Sequence, residues 1–429
     1  MDGGRWGGRE LGPIGYTFAY SYYHQSPRYL SDWITYLAAP LPSSNDDCSR
    51  QTSNIVTRIR KSPTTASSMA SAAEPNTSRS PPLLDFSKFY NASDAAAKKE
   101  LVDQVRDCCL HNGFFQIINH PVPVELQQRV MAWNKRFFDL PLDVKKSVGK
   151  DLNTWNRGYE LLRSQILEEG TLPELKEGFY IGEEIPKTDP YHVNKKLNSG
   201  PNMWPSAELL ADVEDFRSCT MDYYKNVVSL AKDILKVLAL TLDLDEDYFS
   251  EFASGAVATM RMLHYPPTEK GDGEEKLQRG IGAHTDFGAV TLLLQDEVDG
   301  LQVWDNEVKQ WFDVMPVPGA FVVNLGNLMM RWSNDRYISN LHRVINRSGK
   351  ERYSIPVFFS GNPDYVIDCL PNCKPDGEQA KYPPITVEDA VGGSYRESYG
   401  RAEKYKASQM KQGVDKAVGT SVGNPVAVA

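Results

Sequence analysis

The 429-residue chain has no apolar run of about 18 residues, so no membrane span is expected. The stretch "WITYLAAPL" at 33–41 is too short to be one. There is no basic excess either. Lys plus Arg number 47 against 56 Asp plus Glu, a net charge of −9. A nucleic-acid binder would normally present a basic face, so no nucleic-acid partner is expected. Cysteine is scarce: Cys48, Cys108, Cys109, Cys219, Cys369 and Cys373, with no CxxC pair and no secretory signal. These read as reduced thiols of a cytoplasmic protein, with Cys369 and Cys373 as a labile pair the alternative. The sequons at Asn76, Asn91 and Asn346 are expected to be silent for the same reason. The C-terminal "VAVA" is not a peroxisomal address.

What is present is ordinary for a globular protein: 41% hydrophobic and 24% charged residues, enough for a full core without disulfides. Residues 1–68 stand apart. They are rich in Gly, Tyr, Ser and Arg, show no sustained period, and carry 7 basic against 5 acidic residues. Two readings stay open: a mitochondrial-type transit segment, or an upstream stretch preceding a true start at Met69. Residues 62–82 have the composition of a disordered linker. Beyond it, "PPLLDFSKF" (81–89) reads as a short strand, and 94–113 as a helix with Ala97, Leu101, Val105 and Cys108 on one face and Gly113 as its terminator. "FFQIIN" (114–119) reads as a strand, 123–140 as a helix with Pro123 near its first turn, and 206–242 as a long helical region.

From about 256 the period changes to two. "AVATMRMLHY", "AVTLLLQD", "GLQVWD", "WFDVMPV", "AFVVNLG" and "YSIPVFFS" are short, β-branched or aromatic, and punctuated by Gly, Pro, Asn and Asp. Helices followed by six such strands predict an α+β fold, with helices against one face of a β-sandwich or jelly roll. The tail after about 411 is small and polar and is expected to be disordered. The organisation expected is an extension and linker over 1–81, an N-terminal helical and strand domain over 82–205, a long helical region and jelly-roll catalytic domain over 206–400, and a helix end with a tail over 401–429.

The segment "GIGAHTDFGAV" (280–290) carries His284-Thr285-Asp286. With 7 histidines and 56 acidic residues, chance alone supplies about one His-x-acid, so the motif is weak by itself. An open Fe(II) site of the two-His-one-carboxylate kind needs such a pair plus a third ligand from another strand. Two residues apart in an extended segment, His284 and Asp286 would point the same way. His342 in "SNLHRVIN" is the one histidine downstream in the β-rich half; otherwise it is a core histidine. His264 in "MLHYPP" is the rival, placed beside the site and not on the metal. Gly282 and Gly288 would let the chain bend tightly around an ion. In "KERYSIPVFF", Arg352 and Ser354 share a strand face, a fork and a hydroxyl suited to a carboxylate. A surface ion pair is the alternative. It is disfavoured because "SIPVFF" is apolar enough to be buried.

Taken together, "GIGAHTDFGAVTLLLQDEVDGLQVW" and "LHRVINRSGKERYSIPVFF" resemble the iron- and 2-oxoglutarate-dependent dioxygenases of the isopenicillin N synthase-like superfamily. "HNGFFQIINHPVP" resembles that superfamily's N-terminal domain, and "NRGYE" and "LKEGFYIGEE" its fungal members. The resemblance covers about 82–400. It implies a double-stranded β-helix, with His284, Asp286 and His342 as ligands of Fe(II). Arg352 and Ser354 would hold the distal carboxylate of 2-oxoglutarate, and Tyr265 would add a hydroxyl. Leu263 stands where plant relatives often have Asn, and Asn327 where many relatives have Asp; neither is a metal ligand in the pattern. The implied reaction consumes O2 and 2-oxoglutarate, releases succinate and CO2, and hydroxylates, desaturates or cyclises a small organic substrate. Ascorbate is an implied auxiliary, and a monomer is expected. The alternatives are an oxidase or cyclase of the same superfamily that does not use 2-oxoglutarate, and a non-catalytic ligand-binding protein. Phe287, Trp304, Phe358 and Tyr159 are candidate pocket residues; each is otherwise an ordinary core aromatic.

Overall fold

The computed structural model describes residues 77, 79–268, 278–375, 377–394 and 404. All belong to one compact unit, Ala70–Ala429. The expectations for residues 1–68, for most of the linker and for the tail lie outside the described residues.

The helix Ala95–His111 starts where Asp94 accepts the Ala97 N–H at 2.9 Å, satisfying an otherwise orphaned donor. It stops at Gly113, whose φ of +74° only glycine adopts cheaply. A side chain there would also meet the Ile338 carbonyl oxygen at 2.0 Å. A second helix spans Val124–Phe138, with Pro123 at its N-cap. The long helix is shorter than its sequence suggested. Residues 207–212 form turns, and the helix runs Val213–Thr241, with Glu214 and Asp215 complementing its N-terminal dipole.

Among the described residues, twelve strands build two sheets, beside a separate two-stranded ribbon of Val366–Ile367 and Ile385–Thr386: β1 (Leu83–Asp85), β2 (Phe114–Ile118), β3 (Gly158–Glu160), β4 (Glu177–Gly182), β5 (Val257–Tyr265), β6 (Ile281–His284), β7 (Val290–Gln295), β8 (Leu301–Asp305), β9 (Gln310–Asp313), β10 (Phe321–Leu325), β11 (His342–Val344) and β12 (Arg352–Gly361). The large sheet has the order β1-β2-β10-β7-β12-β5-β4-β3, and the small one β6-β11-β8-β9. Of these strand pairs, β1 and β2 run parallel and the rest antiparallel. All six strands expected from the period-two pattern are present. The short β3, β4, β6 and β11 were not expected from that pattern.

Alternation decides what each face of the large sheet does. Met260, Leu292, Val323, Val357 and Phe359 point outward and join one core with Leu230, Ile234 and Leu238 of the long helix. The intervening residues, among them Arg261, Thr291, Asn324, Arg352 and Ser354, point inward and line a cavity. The small sheet supplies the opposite wall through Ile281, His284, Leu301 and His342. The architecture is thus α+β: a jelly-roll core of two sheets, with helices covering one outer face.

Candidate active site

Register brings the histidines together. In the antiparallel pair β6–β11, His342 lies directly opposite His284, and the two rings are 4.2 Å apart. Asp286 is not on a strand. β6 ends at His284, and the carboxylate comes from the connection to β7. Its Oδ1 is 3.7 Å from Nε2 of His284 and 3.7 Å from Nε2 of His342. One ligand atom from each of the three falls within 4.8 Å of the others.

Neighbouring groups fix the orientation of these donors. Nδ1 of His284 faces the Gly282 carbonyl at 2.8 Å, and Nδ1 of His342 the Asn340 carbonyl at 3.2 Å. A carbonyl can only accept, so each Nδ1 carries the proton and each Nε2 lone pair is free for a metal. Thr291 Oγ1 and Asn324 Nδ2 both donate to Asp286 Oδ2, at 2.6 and 2.7 Å. That leaves Oδ1 aimed at the histidines. Burial, and then the neighbouring His342, push the His284 pKa down to about 3, so the ring is neutral and able to ligate. Burial works against the Asp286 charge. The two imidazoles and the two donors outweigh it and hold the carboxyl below its usual range.

The glycines act differently from expectation. Neither Gly282 nor Gly288 has positive φ. A side chain on Gly282 would sit 2.8 Å from the Glu168 backbone nitrogen, and one on Gly288 would sit 2.9 Å from the Phe359 carbonyl. They permit close packing around the site and do not supply a bend.

Arg352 is fully buried and Ser354 nearly so. One guanidinium nitrogen, Nη2, donates to Gln295 Oε1 at 2.8 Å. Nε and Nη1 of Arg352 and Oγ of Ser354 have no hydrogen-bond partner. Buried polar groups are almost always paired, and a buried unpaired cation is costly. Two N–H donors and a hydroxyl on one strand face therefore fit a carboxylate ligand. The Tyr265 ring lies 4.9 Å from the Arg352 guanidinium.

A cavity between the two sheets brings these groups together. All six residues singled out as ligands or anchors line it, as do Phe287 and Phe358. The other two aromatic candidates do not. Trp304 follows inward-facing Val303 on β8, so it packs on Trp311 at 5.2 Å on the other face. Tyr159 donates its hydroxyl to Glu177 outside the cavity. His264 also lies away from the cavity: it alternates with Leu263 and Tyr265, bonds Glu177 and Glu351, and stacks on Tyr353. Nothing in the sequence pattern singled out Asn324 and Thr291, which steer Asp286, or the lining cations Lys176 and Arg261. Asn327 donates its backbone N–H to the Asp286 carbonyl and so braces the loop without touching the donor set. Cys369 and Cys373 are free thiols. Asn346 is buried and bonds the Tyr265 carbonyl, a structural role for that sequon.

Three donors of the facial-triad type beside buried, unpaired N–H and O–H donors are the residue types a non-haem iron oxygenase site needs. Sequence comparison carries the assignment further. Residues 81–207 match the family described as "non-haem dioxygenase in morphine synthesis N-terminal", and residues 256–361 the 2OG-Fe(II) oxygenase superfamily. The chain is 65% identical over 326 residues to the 2-oxoglutarate-Fe(II) type oxidoreductase hxnY of Emericella nidulans, covering 76% of this chain and 92% of that protein. It is 50% identical to a 2-oxoglutarate-Fe(II) type oxidoreductase of Aspergillus fumigatus, covering 78% and 97%. Among solved structures, a full-length Neurospora crassa protein in complex with alpha-KG and thymine is similar, with a TM-score of 0.63 and 29% identity over 76% of this chain and 97% of that one. The chain belongs to the 2OG-Fe(II) oxygenase superfamily, and it is an Fe(II)- and 2-oxoglutarate-dependent dioxygenase.

Proposed function

We propose that His284 Nε2, Asp286 Oδ1 and His342 Nε2 hold the iron, and that Arg352 and Ser354 grip the distal carboxylate of 2-oxoglutarate, with Tyr265 packed against the guanidinium. The observation that carries this reading is the set of unpaired buried donors on Arg352 and Ser354, in the same cavity as the triad. Bound together, Fe(II) and 2-oxoglutarate supply the O2 chemistry that couples formation of succinate and CO2 to oxidation of a substrate C–H bond. This chain's residues do the rest. His284, Asp286 and His342 would hold the metal with three protein donors and leave its remaining coordination to non-protein ligands. Arg352 fixes the cosubstrate in one orientation, which lowers the entropic cost of reaction. The apolar lining, with Phe114, Leu293, Phe287 and Phe358, keeps bulk water from the reacting centre.

The substrate is a small organic molecule, hydroxylated, desaturated or cyclised in specialised metabolism. Support comes from the mostly apolar cavity lining and from relatives: a clavatol oxidase of Penicillium crustosum is 37% identical, and the similar Neurospora crassa structure contains thymine. The enzyme is read as a cytoplasmic monomer without a nucleic-acid partner, assayed with ascorbate. The acidic net charge supports the lack of a nucleic-acid partner. No helix among the described residues is long and apolar enough to cross a membrane. The division of the chain near 205, with 82–205 as N-terminal domain and 206–400 as catalytic part, is supported by the limits of the two family matches.

Anaerobic titration tests the site. One Fe(II) per chain should bind, and adding 2-oxoglutarate should produce a visible charge-transfer band. Failure to bind iron would show the triad assignment to be wrong. Succinate release over a metabolite panel then identifies the substrate.

A further inference from the structure

His284 ends β6, an edge strand of four residues whose one neighbour in the sheet is β11. Half of the backbone groups of an edge strand face away from the ladder and need partners from elsewhere. The pairing with β11 is irregular as well. His284 lies opposite His342 and Ile281 opposite Val344, so β6 places Gly282 and Ala283 where β11 has Arg343 alone. A bulge of this kind bends the strand and leaves its extra residue outside the ladder.

Two carboxylates take up the N–H groups of the bulge. Both come from residues 161–176, which join β3 to β4 with no helix or strand of their own. Glu174 Oε1 accepts the Gly282 N–H at 3.1 Å, and Glu168 Oε2 accepts the Ala283 N–H at 3.0 Å. Beside them the Leu175 N–H donates to the Arg279 carbonyl at 2.7 Å. The segment thus runs along β6 and supplies the partners that a second neighbouring strand would supply.

Each carboxylate is itself held. Glu174 is fully buried; its Oε1 also accepts the Leu167 N–H at 3.2 Å, and its Oε2 accepts from Lys176 Nζ at 2.6 Å. Lys176 therefore compensates a buried charge that would otherwise be costly. Glu168 Oε2 also accepts from Arg279 Nε at 3.2 Å, and the Glu168 carbonyl accepts from Thr171 Oγ1 at 2.8 Å. Glycine at 282 has its reason here. A Cβ would lie 2.6 Å from the Glu168 Cβ and 2.8 Å from the Glu168 backbone nitrogen, so a side chain would push the segment away. The Gly282 carbonyl in turn faces Nδ1 of His284 at 2.8 Å. Strand, segment and imidazole meet at this one residue.

We propose that Glu168 and Glu174 are positioning residues for the metal centre. By capping the Gly282 and Ala283 N–H groups they fix the bulge of β6, and through it the direction of the His284 imidazole. They act through the backbone and not on the ligand atoms. This rests on the reading of His284 as an iron ligand, and the test keeps the two apart.

The experiment titrates the metal-free full chain anaerobically with Co(II), whose visible absorption reports both affinity and coordination geometry. Glu168 is the residue to change, because its side chain is 28% exposed and its removal leaves the core intact. Glu168→Ala should bind Co(II) about tenfold more weakly than the parent and with an altered visible band, the low end of the loss seen when a group behind a ligand is removed. Glu168→Gln keeps an acceptor oxygen and should regain most of the affinity. Glutamine carries no charge, so this rescue distinguishes capping of the strand from long-range attraction of the cation. Gly282→Ala forces the segment away with both carboxylates intact and should weaken Co(II) binding to a similar degree. A purely structural role of Glu168 lowers the melting temperature but leaves the Co(II) affinity and spectrum of the folded protein unchanged; that result overturns the proposal. So does an equal loss of affinity in Glu168→Ala and Glu168→Gln. Loss of Co(II) binding in His284→Ala beside parental affinity in Glu168→Ala overturns the proposal alone, whereas parental affinity in His284→Ala overturns the ligand assignment and the proposal with it.

Discussion

The two faces of β12 differ as much as any two regions of the molecule. Ile355, Val357 and Phe359 point outward into a core shared with the long helix, and every one is fully buried among apolar neighbours. Arg352 and Ser354 point inward, are equally buried, and leave three polar atoms without partners. One strand thus carries a face that is complete in itself and a face that needs a ligand. The outward face makes the sheet stable. The inward face is costly to build, and that cost marks it as the working face.

The largest expected effect is on the inward side. His342→Ala should abolish iron binding and turnover while the melting temperature of the apo-protein stays close to that of the parent, because the ring faces the cavity and not the main core. Metal content and succinate release check it. Next comes the outward side. Ile355→Ala should cost about 2–5 kcal/mol of stability, read from denaturant unfolding, with metal stoichiometry of the folded fraction unchanged. Loss of iron from Ile355→Ala without loss of stability would break the division between the faces. A smaller effect is expected one step behind the ligands. Asn324→Ala removes a donor from Asp286 Oδ2 and should weaken metal binding about 10–100-fold.

The smallest effect is a pH dependence. Burial disfavours a charge on His264, but hydrogen bonds to Glu177 and Glu351 outweigh it and raise the pKa above 6.5. A raised folded-state value means that the protonated ring and its two carboxylates stabilise fully below the unfolded pKa. That stabilisation is lost as pH rises through the folded pKa. His264→Gln should flatten the melting temperature against pH over that window. An unchanged slope would place the pH sensitivity elsewhere.

Much of this was legible in the residue pattern. Period-two alternation in 256–265, 289–296 and 320–326 located β5, β7 and β10 of the large sheet, because strands with one apolar face show their parity. The three donors that the structure brings within 4.8 Å of one another were legible through His284-Thr285-Asp286 and the scarcity of histidines downstream. The strands β4, β6 and β11 were not found from the pattern, because they are three to six residues long and two of them carry a histidine where an apolar residue would otherwise stand. Trp304 and Tyr159 were chosen for aromatic character, which does not tell the two faces of a strand apart. For Trp304 the parity was available in Leu301 and Val303. Lys176 and Arg261 look like any surface charge in one dimension. Only the folded chain shows that they are buried in the cavity lining.

The most direct test of the contrast between the faces is 2-oxoglutarate binding to Arg352→Gln, measured anaerobically with Fe(II) present. Iron should bind with its parental stoichiometry while 2-oxoglutarate affinity falls about tenfold to a hundredfold, the loss of a charge-assisted pair. Parental affinity for 2-oxoglutarate in this variant, with iron bound, would contradict the assignment of the inward face to the cosubstrate.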